Sequence, residues 1–407
     1  MSRYLVVAGL FVLSLITYID RAAIASAKET MSADLALGNQ AMGAVFSAFA
    51  LGYALAQIPA GWFADRRGPR LMLTSIVAIW SVLTALTGAV SSFVSLLTVR
   101  FLFGAAEAGA FPGSARAFYN WLPSAERGRA NGIIFSGSRL GAAFAFPIMA
   151  WLLDSYEWRM AFYLLALPGL AWAAAWWFLF RDEPASAPRR EEPPATESTS
   201  FGTLFRSQAM VLAMFQYFCT NFVTFLTLSW MLPYLRETYS LSREQAAVYA
   251  MWPLLFGAGS NWITGFLVDR MYNSGFRSWS RAFPAILGYG LSAAGLLGLM
   301  LAQSAEMAVI CFTAAAFGAD MTISPSWVYC VDISGKRSGA LTGSMNMMGN
   351  LGSFVSANAF PFLFGLTGSA NAYFLMTACM SVLSILCWLR MRALSPLAAR
   401  QAIATRT

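Results

Sequence analysis

The sequence predicts an all-α membrane protein of twelve transmembrane helices in two pseudo-symmetric six-helix bundles. Three observations carry this. Of 407 residues, 58% are hydrophobic and only 11% charged, less than half the charged share of a soluble domain, so the chain cannot build a polar skin. Apolar runs near the length that spans a bilayer core recur through the whole chain. The third observation is an internal repeat. Gly61-Trp62-Phe63-Ala64-Asp65-Arg66 returns as Gly265-Phe266-Leu267-Val268-Asp269-Arg270, and Asn131-Gly132 with Arg139-Leu140-Gly141 returns as Thr342-Gly343 with Asn350-Leu351-Gly352. Lipid offers no partner to backbone N–H and C=O groups, so spanning runs must be helices or closed barrels. The residue-by-residue alternation of barrel strands is absent.

The spans are expected at 5–27, 40–63, 71–91, 94–118, 129–153, 158–180, 209–235, 244–267, 281–303, 307–330, 339–365 and 369–390. Segment 181–208, with Pro184, Pro188, Pro193, Pro194 and dense charge, reads as a linker. It separates an N-terminal bundle, 1–180, from a C-terminal bundle, 209–407. Basic residues set the orientation. With the N-terminus cytoplasmic, only Lys28, Arg159, Arg236 and Arg243 of the 27 basic residues fall outside, and Arg21, Arg100 and Arg139 fall within spans. Both termini and the linker are thus expected in the cytoplasm of a cell whose plasma (inner) membrane holds the chain. The repeats are parallel, which implies a solute site near midplane between the halves.

That asymmetry also explains the net charge of +8, so no nucleic-acid partner is expected. Arg3, an apolar stretch and Ala25-Ser26-Ala27 imitate a signal peptide. Because the stretch carries Asp20-Arg21 and many spans follow, it reads as a retained first helix. The five cysteines lie in spans of the second half without metal spacing, and read as small core residues. There is no histidine, so proton chemistry falls to carboxylates. No metal, cofactor or nucleophile–base set is expected, which argues against an enzyme.

The stretch Gly61 to Arg70 (GWFADRRGPR) is the strongest local motif. Glycine lets the end of span 2 approach its neighbour, Asp65 can meet a basic group or the positive end of a helix, and the arginines mark the cytoplasmic face. With its copy at 265–270 it resembles the signature loop of the major facilitator superfamily, whose fold is two six-helix bundles rocking around a central cavity. Further strings narrow this: Tyr18-Ile19-Asp20-Arg21, Tyr53 with Gln57-Ile58-Pro59, Glu107 with Ala110-Phe111-Pro112, Arg116 before Trp121-Leu122-Pro123, Glu126-Arg127, and Asn346. Each is short, but their order and spacing together resemble the anion:cation symporter family, which includes bacterial D-galactonate transporters and, more distantly, sialin and the vesicular glutamate transporters. The resemblance implies that Arg21 and Tyr53 contact an organic anion and that Asp20 and Glu107 take up protons.

The physics of these residues agrees. A charge at the bilayer centre costs at least about 2.5–3.5 kcal/mol, so it faces a cavity or a partner. Guanidinium groups match carboxylates in a two-pronged geometry that lysine lacks. Arg21 and Arg139, with Tyr18 and Tyr53, are the expected anion contacts. Arg139 departs from the D-galactonate pattern, which leaves the substrate open. Arg100 reads equally as structure or coupling, and Asp20 either takes protons or neutralises Arg21. Asp320 is a second proton site or a packed residue. Asn346 and Asn350 share a helix face and suit hydroxyls of a sugar acid or interhelical bonds; Gln216, Asn221 and Ser324 are weaker candidates of the same kind. Asp65, Arg66, Asp269 and Arg270, with Arg116 and Arg127 as partners, form an expected cytoplasmic gate.

The resemblance thus implies a proton-coupled symporter of a small organic anion working by alternating access, a monomer whose partners are that anion, protons and membrane lipid. An exporter of amphipathic compounds is the alternative. It is disfavoured because Pro147 is followed by Ile148-Met149-Ala150-Trp151 rather than completing a glycine-proline run. A receptor that binds without transporting is a third reading.

Overall fold

The computed structural model describes residues 2–183 and 200–395. Part of the expected linker, 184–199, lies outside the described residues. The helices run in chain order as α1 (Arg3–Ser26), α2 (Lys28–Asp34), α3 (Asn39–Arg67), α4 (Pro69–Ala89), α5 (Phe93–Glu107), α6 (Ala110–Trp121), α7 (Arg127–Ser155), α8 (Trp158–Leu179), α9 (Phe201–Phe205), α10 (Gln208–Phe225), a π-helical stretch (Leu226–Trp230), α11 (Met231–Tyr239), α12 (Arg243–Asn273), α13 (Ala282–Leu299), α14 (Ala305–Met321), α15 (Ile323–Ser334), a short 3-10 turn (Gly335–Arg337), α16 (Ser338–Thr367) and α17 (Asn371–Leu394).

All twelve expected spans fall on helices. Among the described residues, nine helical stretches are long and apolar enough to cross a membrane, and one of them, Ala305–Thr367, runs through the tenth and eleventh expected spans. The seventh span is divided by the π-helical stretch, and the eighth buries Ser260, Asn261 and Thr264 in its middle, which dilutes its apolarity.

Serine caps several helices: Ser92 and Ser242 form capping boxes with Ser95 and Gln245, and Ser207 and Ser304 accept from Met210 and Met307. Each satisfies a backbone donor that the helix itself cannot. Spans 4 and 10 are both broken. Span 4 breaks between Glu107 and Ala110 and resumes with Pro112 in its new first turn. Span 10 breaks at Thr322 and resumes with Pro325 likewise placed. Proline fits there because the N–H it lacks would have no intrahelical partner.

The chain forms two compact units. One comprises Met1–Leu122, Gly137–Ser198 and Gly335–Met347; the other Pro123–Ser136, Thr199–Ser334 and Met348–Thr407. Each unit therefore contains a short piece of the opposite sequence half, 335–347 in the first and 123–136 in the second.

Within the first unit, α3 packs on α5 and α4 on α8. A Cβ on Gly52 would strike the Phe101 carbonyl, and one on Gly104 the Phe49 carbonyl, so the two backbones lie directly on each other through reciprocal glycines. One core gathers Ala23, Ile24, Met31, Met42, Leu96, Met149, Trp158 and Phe162. The turn from α3 to α4 passes through Gly68 at φ 82°, a left-handed value that a side chain would strain. Asp182 accepts from the backbone N–H of Arg70 at 2.8 Å there, which closes the start of α4. The short α2 is tied at Asp34, which accepts from the Trp158 indole at 3.2 Å and pairs with Arg159; that guanidinium holds the Asp34 carboxyl below the usual carboxylate range.

Within the second unit, α13 packs on α14 and α17, again through reciprocal glycines, Gly288 and Gly318. Its core includes Phe222, Leu226, Leu296, Phe312, Tyr373 and Phe374.

The backbone contact at Gly104 gives a direct test. Gly104→Val places its methyls against a carbonyl that cannot move aside, so it should cost at or beyond the upper end of the about 1–3 kcal/mol range for overpacking. Thermal unfolding of the purified protein should show a lowered melting temperature; an unchanged one contradicts this packing.

Candidate functional site

The first unit collects four buried charges from two helices: Asp20 and Arg21 on α1, Arg100 and Glu107 on α5. Asp20, Arg100 and Glu107 are each no more than 3% exposed. Arg21 Nε donates to Glu107 Oε1 at 2.7 Å, with the Arg21 side chain 20% exposed and that of Glu107 wholly buried. The pair is single-pronged. Arg21 Nη2 and Glu107 Oε2 are buried and have no hydrogen-bond partner, and neither has Arg100 Nε. Asp20 lies in the fields of Glu107 and Arg100. Two cations and two carboxylates balance, which is how charge is kept inside a low-dielectric medium.

Aromatic rings frame the arginines. The Arg21 guanidinium carbon lies 4.9 Å from the Tyr18 ring centre, 4.5 Å from that of Tyr53 and 5.4 Å from that of Phe49. Tyr18 and Arg21 are three apart on α1, and Phe49 and Tyr53 four apart on α3, so each pair shares a helix face. Arg100 sits over Phe49 and Phe103 at 5.1 and 4.5 Å. Asn346 Nδ2 donates to the Tyr53 hydroxyl at 3.2 Å. The structure thus brings Tyr18, Asp20, Arg21, Tyr53, Glu107 and Asn346 together with Arg100, and adds Phe49 as a member that no residue-type argument assigned. Arg139, half-buried on α7, lies between Gly137 and Gly141, which back onto Phe11 and Leu15 of α1.

Candidates in the second unit are placed differently. Gln216 is wholly buried. Its carbonyl oxygen accepts from Tyr289, Ser326 and Trp388 at 2.9, 3.1 and 3.3 Å, and its amide donates to the Ala213 carbonyl at 2.8 Å. Ser324 donates to the Gly128 carbonyl at 2.9 Å, and Asn221 donates to the Tyr217 carbonyl one turn back at 2.9 Å. Asn350 is half-buried on α16. Asp320 is 3% exposed. It precedes Pro325 by the same interval as Glu107 precedes Pro112, so it occupies the corresponding place at the break in span 10.

The two signature-loop aspartates act on backbone. Asp65 Oδ1 and Oδ2 accept from the N–H groups of Gly339 and Ala340, both at 2.8 Å, at the start of α16. Asp269 Oδ1 accepts from the N–H of Gly128 at 2.8 Å, and its Oδ2 from that of Arg129 at 2.9 Å and from Arg129 Nε at 3.1 Å, at the start of α7. A carboxylate here meets orphan donors and the positive end of the helix dipole together. Arg116 stands 4.0 Å from Asp65 and donates to the Lys336 carbonyl at 2.7 Å. Arg127 pairs with Asp332 at 2.8 Å; Arg281 pairs with the same carboxylate at 3.2 Å and donates to the Ser124 carbonyl at 2.8 Å. Arg66 is exposed and stacked on Trp62 at 4.0 Å, and Arg270 is exposed. Asp332 and Arg281 carry no motif, and sequence reasoning passed over them.

A model of the Major Facilitator Superfamily matches residues 10–357. The chain belongs to the Major Facilitator Superfamily. More particularly, it is similar to the probable sulfoacetate transporter of Cupriavidus necator, 32% identical over 92% of this chain and 90% of that one. A probable galactarate/D-glucarate transporter of Bacillus subtilis is 27% identical over 95% and 91%. Among solved structures, the Major Facilitator Superfamily transporter FucP matches with a TM-score of 0.78 at 14% identity, over 96% of this chain and 99% of that one. These are transporters and not enzymes, and the relatives fit the anion symporter resemblance.

The aspartate caps yield a prediction. Asp65→Asn keeps the shape but leaves a single neutral acceptor: one charge-assisted bond becomes a weaker neutral one, and the other is lost because the amide nitrogen cannot accept from an N–H, at a cost of at least about 1–2 kcal/mol. Hydrogen exchange at Gly339 and Ala340 should rise roughly tenfold. Exchange at the wild-type rate would mean that the caps do not hold this segment.

Proposed function

We propose that the protein is a proton-coupled symporter of a small organic anion, a sugar acid or another small carboxylate or sulfonate, working by alternating access as a monomer in the cell's inner membrane with both termini cytoplasmic. One observation carries the reading: the single-pronged Arg21–Glu107 pair, which leaves one guanidinium NH2 group and one carboxylate oxygen without partners inside an aromatic frame. The names of the relatives, transporters of sulfoacetate and of galactarate or D-glucarate, support an anion as the guest.

Arg21 holds the acid group of the substrate. A proton on Glu107 removes the competing carboxylate and frees the guanidinium to take the anion with both prongs. The incoming negative charge and the incoming proton then leave the buried set as neutral as before. Asp20, beside Arg100, is the second carboxylate that carries a proton, and with no histidine in the chain the coupling falls to these groups. Tyr18, Tyr53 and Asn346 position the guest, and Arg139 offers a second guanidinium. Gln216, Ser324 and Asn221 are assigned to packing, because protein groups take up their bonds. Asp65 and Asp269, with Arg116 and Arg127, form the gate at the proposed cytoplasmic end; Arg66 and Arg270 serve orientation in the membrane.

The test is a thermal-shift screen of purified protein against sulfoacetate, galactarate, D-glucarate and neutral sugars. A ligand at one hundred times its dissociation constant adds about 2.7 kcal/mol to stability, so one of the anions should raise the melting temperature and neutral sugars should not. Arg21→Lys should abolish the shift, because an ammonium cannot make the fork. Shifts from neutral sugars alone would overturn the anion reading.

Proton coupling is tested separately in proteoliposomes. Glu107→Gln mimics the protonated state permanently, so it should still exchange the anion by counterflow but fail to accumulate it against an imposed pH gradient. Full pH-driven accumulation would remove Glu107 from the mechanism.

A further inference from the structure

The two signature-loop segments are surrounded by a second pair of matched residues that the proposed function does not use. In the first unit, Gly61 of α3 meets Gly339 of α16, and a Cβ on Gly343 would lie 2.6 Å from the Gln57 carbonyl oxygen. In the second unit, Gly265 of α12 meets Gly128 of α7, and a Cβ on Gly132 would strike the Asn261 carbonyl. Gln57 and Asn261 are related by the same spacing as Gly61 and Gly265, and Gly132 and Gly343 by the same spacing as Asn131 and Thr342. Each unit therefore carries the same joint: a glycine crossing, an aspartate cap at one side of it, and an amide residue one turn to the other side.

Both amides are wholly buried. Gln57 makes no side-chain hydrogen bond with either Nε2 or Oε1, and Asn261 Oδ1 has none, while Asn261 Nδ2 donates to its own helix at the Gly257 carbonyl at 2.9 Å. An amide side chain has four hydrogen-bonding sites to fill. A buried polar group without a partner is unfavourable relative to the same group in water, by about tenfold or more in an equilibrium. These atoms are buried from bulk solvent beside the glycine contacts. Such groups deserve a reason, and their occurrence at matched positions in both units makes accidental misplacement a poor one.

We infer that Gln57 and Asn261 are positioning residues of the transport cycle: their unpartnered amides destabilise the closed form of each joint and so oppose the aspartate caps that hold it shut. The inference rests on the alternating-access reading, in which segments 335–347 and 123–136 leave their units when the gate opens. Once a segment leaves, water satisfies the amide. A joint held only by the cap and the glycine contact would be too stable to open often; a ligand moves a two-state equilibrium only by its differential affinity. The amides bring the two states within that reach.

The experiment uses the full chain in lipid nanodiscs without substrate, read by hydrogen exchange of peptides covering 335–347 and 123–136. Gln57→Met and Asn261→Leu replace each amide by an apolar group of similar size. Gln57→Met should slow exchange in 335–347 about tenfold, and Asn261→Leu should do the same in 123–136, each leaving peptides of α4 and α8 unchanged. If the amides served only packing, removing them would speed exchange at the joint. Unchanged or faster exchange at both joints therefore overturns the inference. The two joints share no residue, so a variant that fails to fold leaves the other decisive. Because the readout needs neither substrate nor protons, it is separate from the thermal-shift and uptake tests, and failure of those does not decide this one.

Discussion

A bilayer core offers no hydrogen-bond partner, so every polar group carried into it must find one in the protein or remain unsatisfied. The hydroxyls of Thr17, Thr84 and Thr87 turn back to the carbonyls of Leu13, Trp80 and Leu83 on their own helices. Longer polar groups cannot do this and must reach a neighbouring helix, which fixes where helices meet. The Gln216 amide joins α10 to α13, α15 and α17 in this way. Aspartates at helix ends use backbone N–H groups, because helix starts are the one place where the backbone has donors to spare.

The same constraint acts on Arg21 and Glu107. Removing one partner of a buried ion pair leaves an uncompensated charge and typically costs about 3–5 kcal/mol, whereas a well-packed apolar pair in its place is often no less stable. Stability alone gives no reason to keep four ionisable groups on α1 and α5. What such a set does offer is exchange: a proton and an anion can replace an internal contact without changing the total charge. The aromatic frame around Arg21 fits this, since ring faces attract the guanidinium by about 0.5–2 kcal/mol.

Much of this was legible in the sequence, and the part that was not has a physical character. Span lengths and the glycine-aspartate repeat are local, so hydropathy and spacing exposed them. Arg21 and Glu107 were visible because a charge in an apolar run is conspicuous. Their mutual contact is not local, and their separation in the chain gives no hint of it. Asp65 reads as a partner for a helix end or a cation, and it meets both, the N–H groups of Gly339 and Ala340 at the start of α16 and Arg116 at 4.0 Å; which helix it caps is a feature of the backbone and leaves no mark in residue type. Gln216 and Ser324 read equally as cavity groups or as interhelical bonds, because polarity in a span has two meanings; here their side chains bond protein groups. The Asp332–Arg281 pair passed unnoticed because charges near helix ends are common and carry no spacing signal.

The repeat itself separates mechanics from recognition. The joints are conserved between the two halves of this chain in detail: glycine against glycine, aspartate on a helix start, an amide one turn away. The residues proposed for recognition are not. The position that matches Arg21 by the spacing of the signature loops is Phe225, and the one that matches Tyr53 is Gly257. Under the proposed alternating access the two joints open and close under comparable loads, which is a reason to stay alike. The proposed small, asymmetric anion gives no such reason, since one half can supply the acid-binding group and the other cannot profit from a copy of it. Asp320 is the exception, because it keeps the place of Glu107 at the break in span 10. For Asp320 this fits a role tied to the helix break, which both spans share, since the position that matches Arg21 is Phe225; Glu107 has Arg21 as its partner as well.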